Sequence, residues 1–442
     1  MAGLSVDPQP SGFTPTAPAV SLPLSQYIPR RFILVTLCFF STFICYIDRV
    51  NMSVAIIPMA DEFKWDQTTK GIVLSSFFYG YLATQVFGGW LADRYGGKVV
   101  LGFGVLWWSI FTLLTPPAAA ISLTVLFIAR VGMGLGEGVA FPAIHNLFAR
   151  WAPVHERARF VALNTSGIPL GTVGALFLTP LIVLAWGWQW VFYCFGLLGF
   201  IWFALWYVLA SDSPETHPAV HPTELQFIRD NRPAVPKNET TPWGLLLSKA
   251  PTWAIIINHF CSNWGFYVIL TWLPTYFKQA LGVDLSKVGV YTVLPWLVMF
   301  LMGNVAGWIA DTLLKRGFSV TFVRKLMQSI GFLGAAAFVS LVGYATTVPQ
   351  AVTLMCCGLG LGAFALSGFG VNHLDIGPRY AGILLGFSNT AGTIPGIIGV
   401  TLTGMILDAT GSWQLVFLIS AGIYVFGAII WLLFATGERV FE

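Results

Sequence analysis

Twelve stretches of predominantly apolar residues divide this chain, over 31-59, 69-92, 97-116, 121-149, 158-184, 188-210, 251-277, 287-310, 322-346, 350-373, 381-407 and 412-436. Each approaches or exceeds the ~20 residues an α-helix needs to cross a bilayer. The pattern is six, a break, then six. Only 10% of the 442 residues are charged and the mean hydropathy is +0.75, whereas a soluble domain carries about 25% charged residues. Lipid must replace water over most of the exterior, which restricts the backbone to helices that satisfy their own hydrogen bonds. The fold class is therefore an all-α membrane protein of twelve transmembrane helices in two six-helix bundles.

The break, 211-250, contains Ser213-Pro214, His221-Pro222 and Arg232-Pro233-Ala234-Val235-Pro236. A helix-like piece over Thr223 to Asn231 lies between the prolines, and the rest reads as a polar cytoplasmic linker. The expected units are a disordered cytoplasmic tail (1-30), an N-terminal bundle (31-210), the linker, a C-terminal bundle (251-436) and a short cytoplasmic tail (437-442). Residues 1 to 29 lack Lys, Arg and an apolar core of seven residues, so they fit neither a secretory signal nor an Arg-rich transit peptide. Of 23 Lys and Arg residues, 17 fall in the termini and even-numbered loops and four in the odd-numbered loops. Both termini are accordingly expected on the cytoplasmic side, or the stromal or equivalent side of an organelle membrane.

The two halves repeat in sequence. Gly89-Trp90-Leu91-Ala92-Asp93 returns 218 positions later as Gly307-Trp308-Ile309-Ala310-Asp311. Asn164-Thr165-Ser166-Gly167 returns 225 later as Asn389-Thr390-Ala391-Gly392, and Trp188-Gln189 at the same offset as Trp413-Gln414. Two copies of a six-helix unit about an axis along the membrane normal form the parallel-repeat arrangement of major-facilitator transporters. The loop Gly89-x-x-x-Asp93-Arg94-x-Gly96-Gly97-Lys98 matches that superfamily's signature between helices 2 and 3, and Gly307 to Arg316 is its partial copy. Glycines permit the tight turn, while Asp93 can pair with a basic group or helix terminus in one conformation only. Gly89, Asp93, Arg94, Gly96, Lys98, Asp311 and Arg316 are thus the expected conformational gate.

Charges inside the membrane cost about 2.5 to 3.5 kcal/mol each on insertion scales and are seldom idle. Four stand out: Asp48 and Arg49 in the first helix, Arg130 and Glu137 in the fourth. Arg130 and Glu137 are two turns apart, about 10.5 Å along the axis, so they share a face without pairing. Paired guanidinium donors suit the oxygens of a carboxylate or phosphate. Asp48 and Glu137 then suit reversible protonation. A plainer account has Asp48 and Glu137 simply neutralising Arg49 and Arg130. Tyr81, Asn258, Asn263, Ser388 and Asn389 are polar groups at mid-helix depth that fit a substrate shell and equally fit interhelical hydrogen bonding.

Other motifs carry less. Gly132-x-Gly134-x-Gly136-x-Gly138 follows no strand and reads as close helix packing rather than a nucleotide loop. His145 and His259 read as packed, hydrogen-bonded histidines rather than a proton relay. The six cysteines lie in apolar runs with neither disulfide nor zinc spacing. No catalytic constellation emerges, so no enzyme and no metal or other cofactor is expected. Basic residues form no stripe with aromatics, which argues against nucleic acid as a partner. The expected partners are a small anion and the bilayer, with the chain acting as a monomer.

The chain resembles the anion:cation symporter family of the major facilitator superfamily over nearly everything from Arg30 to Trp431. The resemblance rests on Tyr46 to Ala55, Gly136-Glu137-Gly138 with Phe141-Pro142, Trp151-Ala152-Pro153 with Glu156-Arg157, and Asn372 to Ile376 with Pro378 to Gly382. Asn258 to Cys261, Asn263-Trp264-Gly265, Leu273 to Tyr276 and Gly307 to Leu313 look most like its plant and algal phosphate-transporter branch of plastids and Golgi. That likeness implies alternating-access transport of inorganic phosphate coupled to H+ or Na+, with ascorbate, a sugar acid or another carboxylate as the alternative. It implies Arg49 and Arg130 as substrate-binding arginines, and Glu137 with Asp48 as coupling acids. Ser262 and Leu74 stand where the vesicular glutamate carriers have arginine and histidine, which argues against glutamate. A non-transporting anion sensor is the reading from another class.

Overall fold

The computed structural model describes residues 29–232 and 242–441. The tail expected over 1-30 and the linker stretch 233-241 lie outside the described residues, apart from 29 and 30. Twelve long helices follow in order: α1 Arg30–Phe63, α2 Gln67–Tyr95, α3 Gly97–Ile121, α4 Leu123–Trp151, α5 Arg157–Trp186, α6 Trp188–Leu209, α7 Ala250–Gln279, α8 Leu285–Lys315, α9 Val320–Val342, α10 Val348–Ile376, α11 Ala381–Thr410 and α12 Trp413–Phe434. The described residues form these twelve long helices and no strand, the all-α arrangement expected from the sequence. The linker helix predicted over Thr223 to Asn231 forms as Pro222–Asp230. A second short helix, Trp243–Ser248, was not foreseen.

Local chemistry sets the ends. Asp66, Ser122, Ser319 and Ser412 cap the starts of α2, α4, α9 and α12 with their side-chain oxygens. The repeat extends to the turns: Gly187 before α6 and Gly411 before α12 both take positive φ, 93° and 64°, where a side chain would be strained. Apolar side chains such as Phe103, Ile128, Val208, Leu301 and Leu433 remain exposed on the outer faces, a surface that hydrocarbon covers and water does not.

Eleven of these helices are long and apolar enough to cross a membrane. The exception is α2, 29 residues long, and its polarity has a cause. It packs along α11 of the other half, where Ser75 Oγ accepts from Thr401 Oγ1 at 2.8 Å and Gln85 Oε1 from Thr393 Oγ1 at 3.1 Å. The halves also meet where α5 packs on α8 and α1 on α7.

The alternating glycines of α4 explain how α4 reaches the centre. A Cβ at Gly134 or Gly138 would run into the α2 backbone at Phe77, Tyr81 and Gln85, and one at Gly132 or Gly136 into Phe111, Trp107 and Trp108 of α3. Each pair, four residues apart, clears one neighbour. The helix breaks after Glu137 and resumes at Ala140; the break at Gly138 lies one turn before Pro142, whose missing N–H leaves the Gly138 carbonyl without its ladder partner.

Candidate functional site

All four intramembrane charges face the core of the N-terminal half. The guanidinium of Arg49 donates to Glu137 Oε2 through Nη2 at 2.8 Å and Nε at 3.1 Å. Cys45, one turn back on α1, donates its thiol to the same oxygen at 3.1 Å, and its sulfur accepts from Arg49 Nη2 at 3.6 Å. Rings of Tyr46, Phe77 and Tyr81 lie 4.6, 4.8 and 4.6 Å from the Arg49 guanidinium carbon. Such a desolvated cation–π cage contributes ~2 kcal/mol or more. It fixes the charge without consuming it.

Arg130 is held differently. It is 2% exposed, donates Nη1 to Met133 Sδ at 2.9 Å, lies 5.9 Å from the Phe77 ring, and makes no ion pair among the described residues. Its Nε has no hydrogen-bond partner among the described residues. Asp48 is 0% exposed and sits beside Trp108, yet neither carboxylate oxygen nor the indole nitrogen reaches hydrogen-bond geometry. The plainer account of acids neutralising arginines holds for one pair, Glu137 with Arg49, and not for Asp48 and Arg130, which form no ion pair among the described residues. Adjacent residues on a helix diverge by about 100°, and Arg130 and Glu137 are too far apart along α4.

A cavity of about 10 Å³, room for one water, lies between Arg49 and Arg130 and is closed from the other half by Leu270 and Thr271 of α7. Phe78 of α2 and Tyr267 of α7 bridge the halves, with ring centroids 4.6 Å apart. Phe78 lines the cavity beside Arg49, and neither ring stands out in the sequence, where aromatic residues in apolar helices carry no mark of facing inward. Asn51, fully buried with both amide atoms unpartnered, was passed over as part of a motif string.

The remaining expected shell residues form a separate group on α7 and α11. Asn263 Nδ2 donates to the Gly392 carbonyl at 2.8 Å, and Ser388 Oγ lies 3.1 Å from His259 Nδ1. Asn389 is half-buried beside them. Tyr81 joins the arginines; Asn263, Ser388 and Asn389 do not touch them. Asn258 is bonded into the C-terminal half, its Oδ1 accepting from Gln328 Nε2 at 2.8 Å.

The two ends of the bundle differ. At one end Asp408, the last acidic residue of α11, accepts from the backbone N–H groups of Gln67 at 2.9 Å and Thr68 at 2.6 Å, while Asp66 accepts from Thr69 N at 2.7 Å. The N-terminus of α2 is thus capped partly by the opposite half. Gly71 and Gly404 admit this approach, since a Cβ on either would press on the partner backbone. At the other end no neighbour among the described residues lies within 4 Å of a Cβ built at Gly89, Gly307, Gly382 or Gly386. Asp93 accepts from Asn146 Nδ2 at 2.7 Å, on α4 of its own half, and Arg94 rests on Trp90 and Tyr95. Gly96 has φ 88°, and a Cβ there would come within 2.6 Å of Asp212 Oδ1, the atom that accepts from Lys98 N at 3.2 Å. Arg150 pairs with the same carboxylate. Asp311 and Arg316 are exposed and form no ion pair among the described residues.

A major facilitator superfamily model matches residues 38–400. The chain belongs to this superfamily. It is 49% identical over 424 residues to the sodium-dependent phosphate transport protein 1, chloroplastic, of Arabidopsis thaliana, covering 96% of this chain and 83% of that protein. It is 51% identical over 422 residues to the ascorbate transporter, chloroplastic, of the same plant, covering 95% of this chain and 77% of that protein. These relatives place it in the anion:cation symporter family that its motifs resemble. Among solved structures, a bacterial homologue of the human lysosomal transporter Spinster, inward-facing and unoccupied, superimposes with a TM-score of 0.76 at 15% identity, over 92% of this chain and 97% of that one. That likeness shows the fold. The chain is an integral membrane transporter and not an enzyme.

Proposed function

We propose that this transporter carries inorganic phosphate by alternating access, coupled to H+ or Na+, with the anion held between Arg49 and Arg130. The observation that carries this reading is a fully buried Arg130 with unused donors, facing across a small cavity an Arg49 whose charge is caged by three rings. A guanidinium with free N–H groups in a desolvated site is built for an oxyanion. An entering anion competes with Glu137 for Arg49 and frees that carboxylate to take up a cation, with Asp48 as the second acid. Tyr81 lines the arginine site, while Asn263, Ser388 and Asn389 line the path to it from the open end.

The repeat units are read as 31-210 and 251-436, joined by the cytoplasmic linker 211-250, with both termini on the cytoplasmic or stromal side and the chain acting as a monomer. The open end then faces that side. Gly89 to Lys98 and Gly307 to Arg316 serve as the gate there, disengaged in this conformation. The chloroplast relatives favour a plastid membrane. Ascorbate, named for an equally similar relative, is the second substrate reading. In proteoliposomes, uptake of labelled phosphate under imposed pH or sodium gradients, with unlabelled phosphate, ascorbate, glutamate and sugar acids as competitors, tests the assignment. Uptake of labelled ascorbate under the same gradients, with no uptake of labelled phosphate, would replace phosphate as the substrate.

A further inference from the structure

Three donors converge on a single oxygen of Glu137. Oε2 accepts from Arg49 Nη2, Arg49 Nε and Cys45 Sγ at 2.8, 3.1 and 3.1 Å, whereas Oε1 is buried and has no hydrogen-bond partner among the described residues. Cys45 and Arg49 stand four residues apart on α1, so they share a face and reach the same acceptor on α4. The thiol is fully enclosed and its sulfur also accepts from Arg49. It therefore bonds to both members of an ion pair that also meet directly.

We propose that Cys45 is a positioning residue for cation coupling: its thiol holds Glu137 by Oε2, so that Oε1 is the oxygen that takes and releases the coupling proton. This inference rests on the reading of Glu137 as a coupling acid. A hydrogen bond donated to the ionised carboxylate favours that form, so the thiol opposes protonation until the anion draws Arg49 away. Among the described residues, the other titratable or charged groups around Glu137 are Asp48 and Arg49 on α1 and Arg130 on α4, and around its partner Arg49 they are Tyr46, Tyr81 on α2 and Tyr267 on α7. α3 contributes Trp108, which does not titrate. Cys45 is the only one of these besides Arg49 that bonds to the carboxylate directly.

The test compares Cys45→Ala and Cys45→Ser in proteoliposomes, reading the pH dependence of phosphate uptake and, as a control for folding, phosphate–phosphate exchange. Ala removes the donor and Ser replaces it at similar volume. With exchange preserved in both, the midpoint of the pH profile in Cys45→Ala is expected to move alkaline by about one unit, a tenfold change in proton affinity. Cys45→Ser should restore the wild-type midpoint. In a Glu137→Gln background, Cys45→Ala should shift nothing further. Equal midpoints in Ala, Ser and wild type overturn the positioning role. If Cys45→Ala does not fold, Cys45→Val, which also lacks the donor, carries the test: a midpoint moved alkaline by about one unit supports the role, and one at the wild-type value overturns it. A Glu137→Gln protein with the wild-type pH profile instead overturns the underlying assignment of Glu137, a result distinct from failure at Cys45.

Discussion

Replacing Asp408 by Asn should loosen one end of the transporter and leave the substrate site intact. Two backbone N–H groups at the start of α2 donate to the Asp408 carboxylate, and this cap exists only while α2 and α11 are closed together. Loss of a side-chain helix cap costs ~0.5–2 kcal/mol, and exposure of this carboxylate to solvent screens its charge and places it toward the lower part of that range. An amide keeps one weakened acceptor. A loss of about 1 kcal/mol from the closed state alone shifts the balance of conformations roughly fivefold. Spin labels on the Asp408 ends of α2 and α11, read by pulsed electron resonance, measure this directly. The distance distribution should gain a longer component in Asp408→Asn, most clearly without substrate. An unchanged distribution refutes the idea that this cap holds the halves together, and the polarity of α2 would then need another cause.

Other outcomes follow from the same geometry. Arg49→Lys keeps the charge but loses the second donor to Glu137 and most of the stacking in the Tyr46, Phe77 and Tyr81 cage, so the KM for the anion should rise by roughly thirtyfold, about 2 kcal/mol. A rise below threefold in uptake assays argues that the cage does not order Arg49. Gly134→Val places a side chain against the carbonyl of Phe77 and the amide of Tyr81, an overpacking of about 3 kcal/mol, and should abolish monodisperse protein on size exclusion; recovery at wild-type yield contradicts the tight α2–α4 contact. Gly96→Ala combines positive φ with a clash at Asp212 and should lower thermal stability by about 1–2 kcal/mol, whereas an unchanged melting temperature would show that the turn adapts.

The sequence revealed the twelve helices, the repeat and the four buried charges, because each rests on local signals: length of an apolar run, spaced identities, and charge where lipid forbids it. Partners were less legible. Asp48 and Arg49 are neighbours in sequence and diverge in space, while Arg49 finds Glu137 on another helix. The cap of α2 by Asp408 joins residues 340 positions apart, beyond any local pattern. Tyr267 and Phe78 look like any aromatic residue in an apolar helix until the halves meet. Polar residues of α2 reduced its hydropathy, and only the structure supplies the reason, namely that they bond to α11 rather than face lipid.

The central claim is that Arg130 binds the transported anion. Uptake of labelled phosphate into proteoliposomes bearing purified Arg130→Ala, with monodispersity and melting temperature matched to wild type, tests it most directly. Uptake is predicted to fall to the level of protein-free vesicles under either a proton or a sodium gradient. Undiminished uptake by the folded variant would contradict the account.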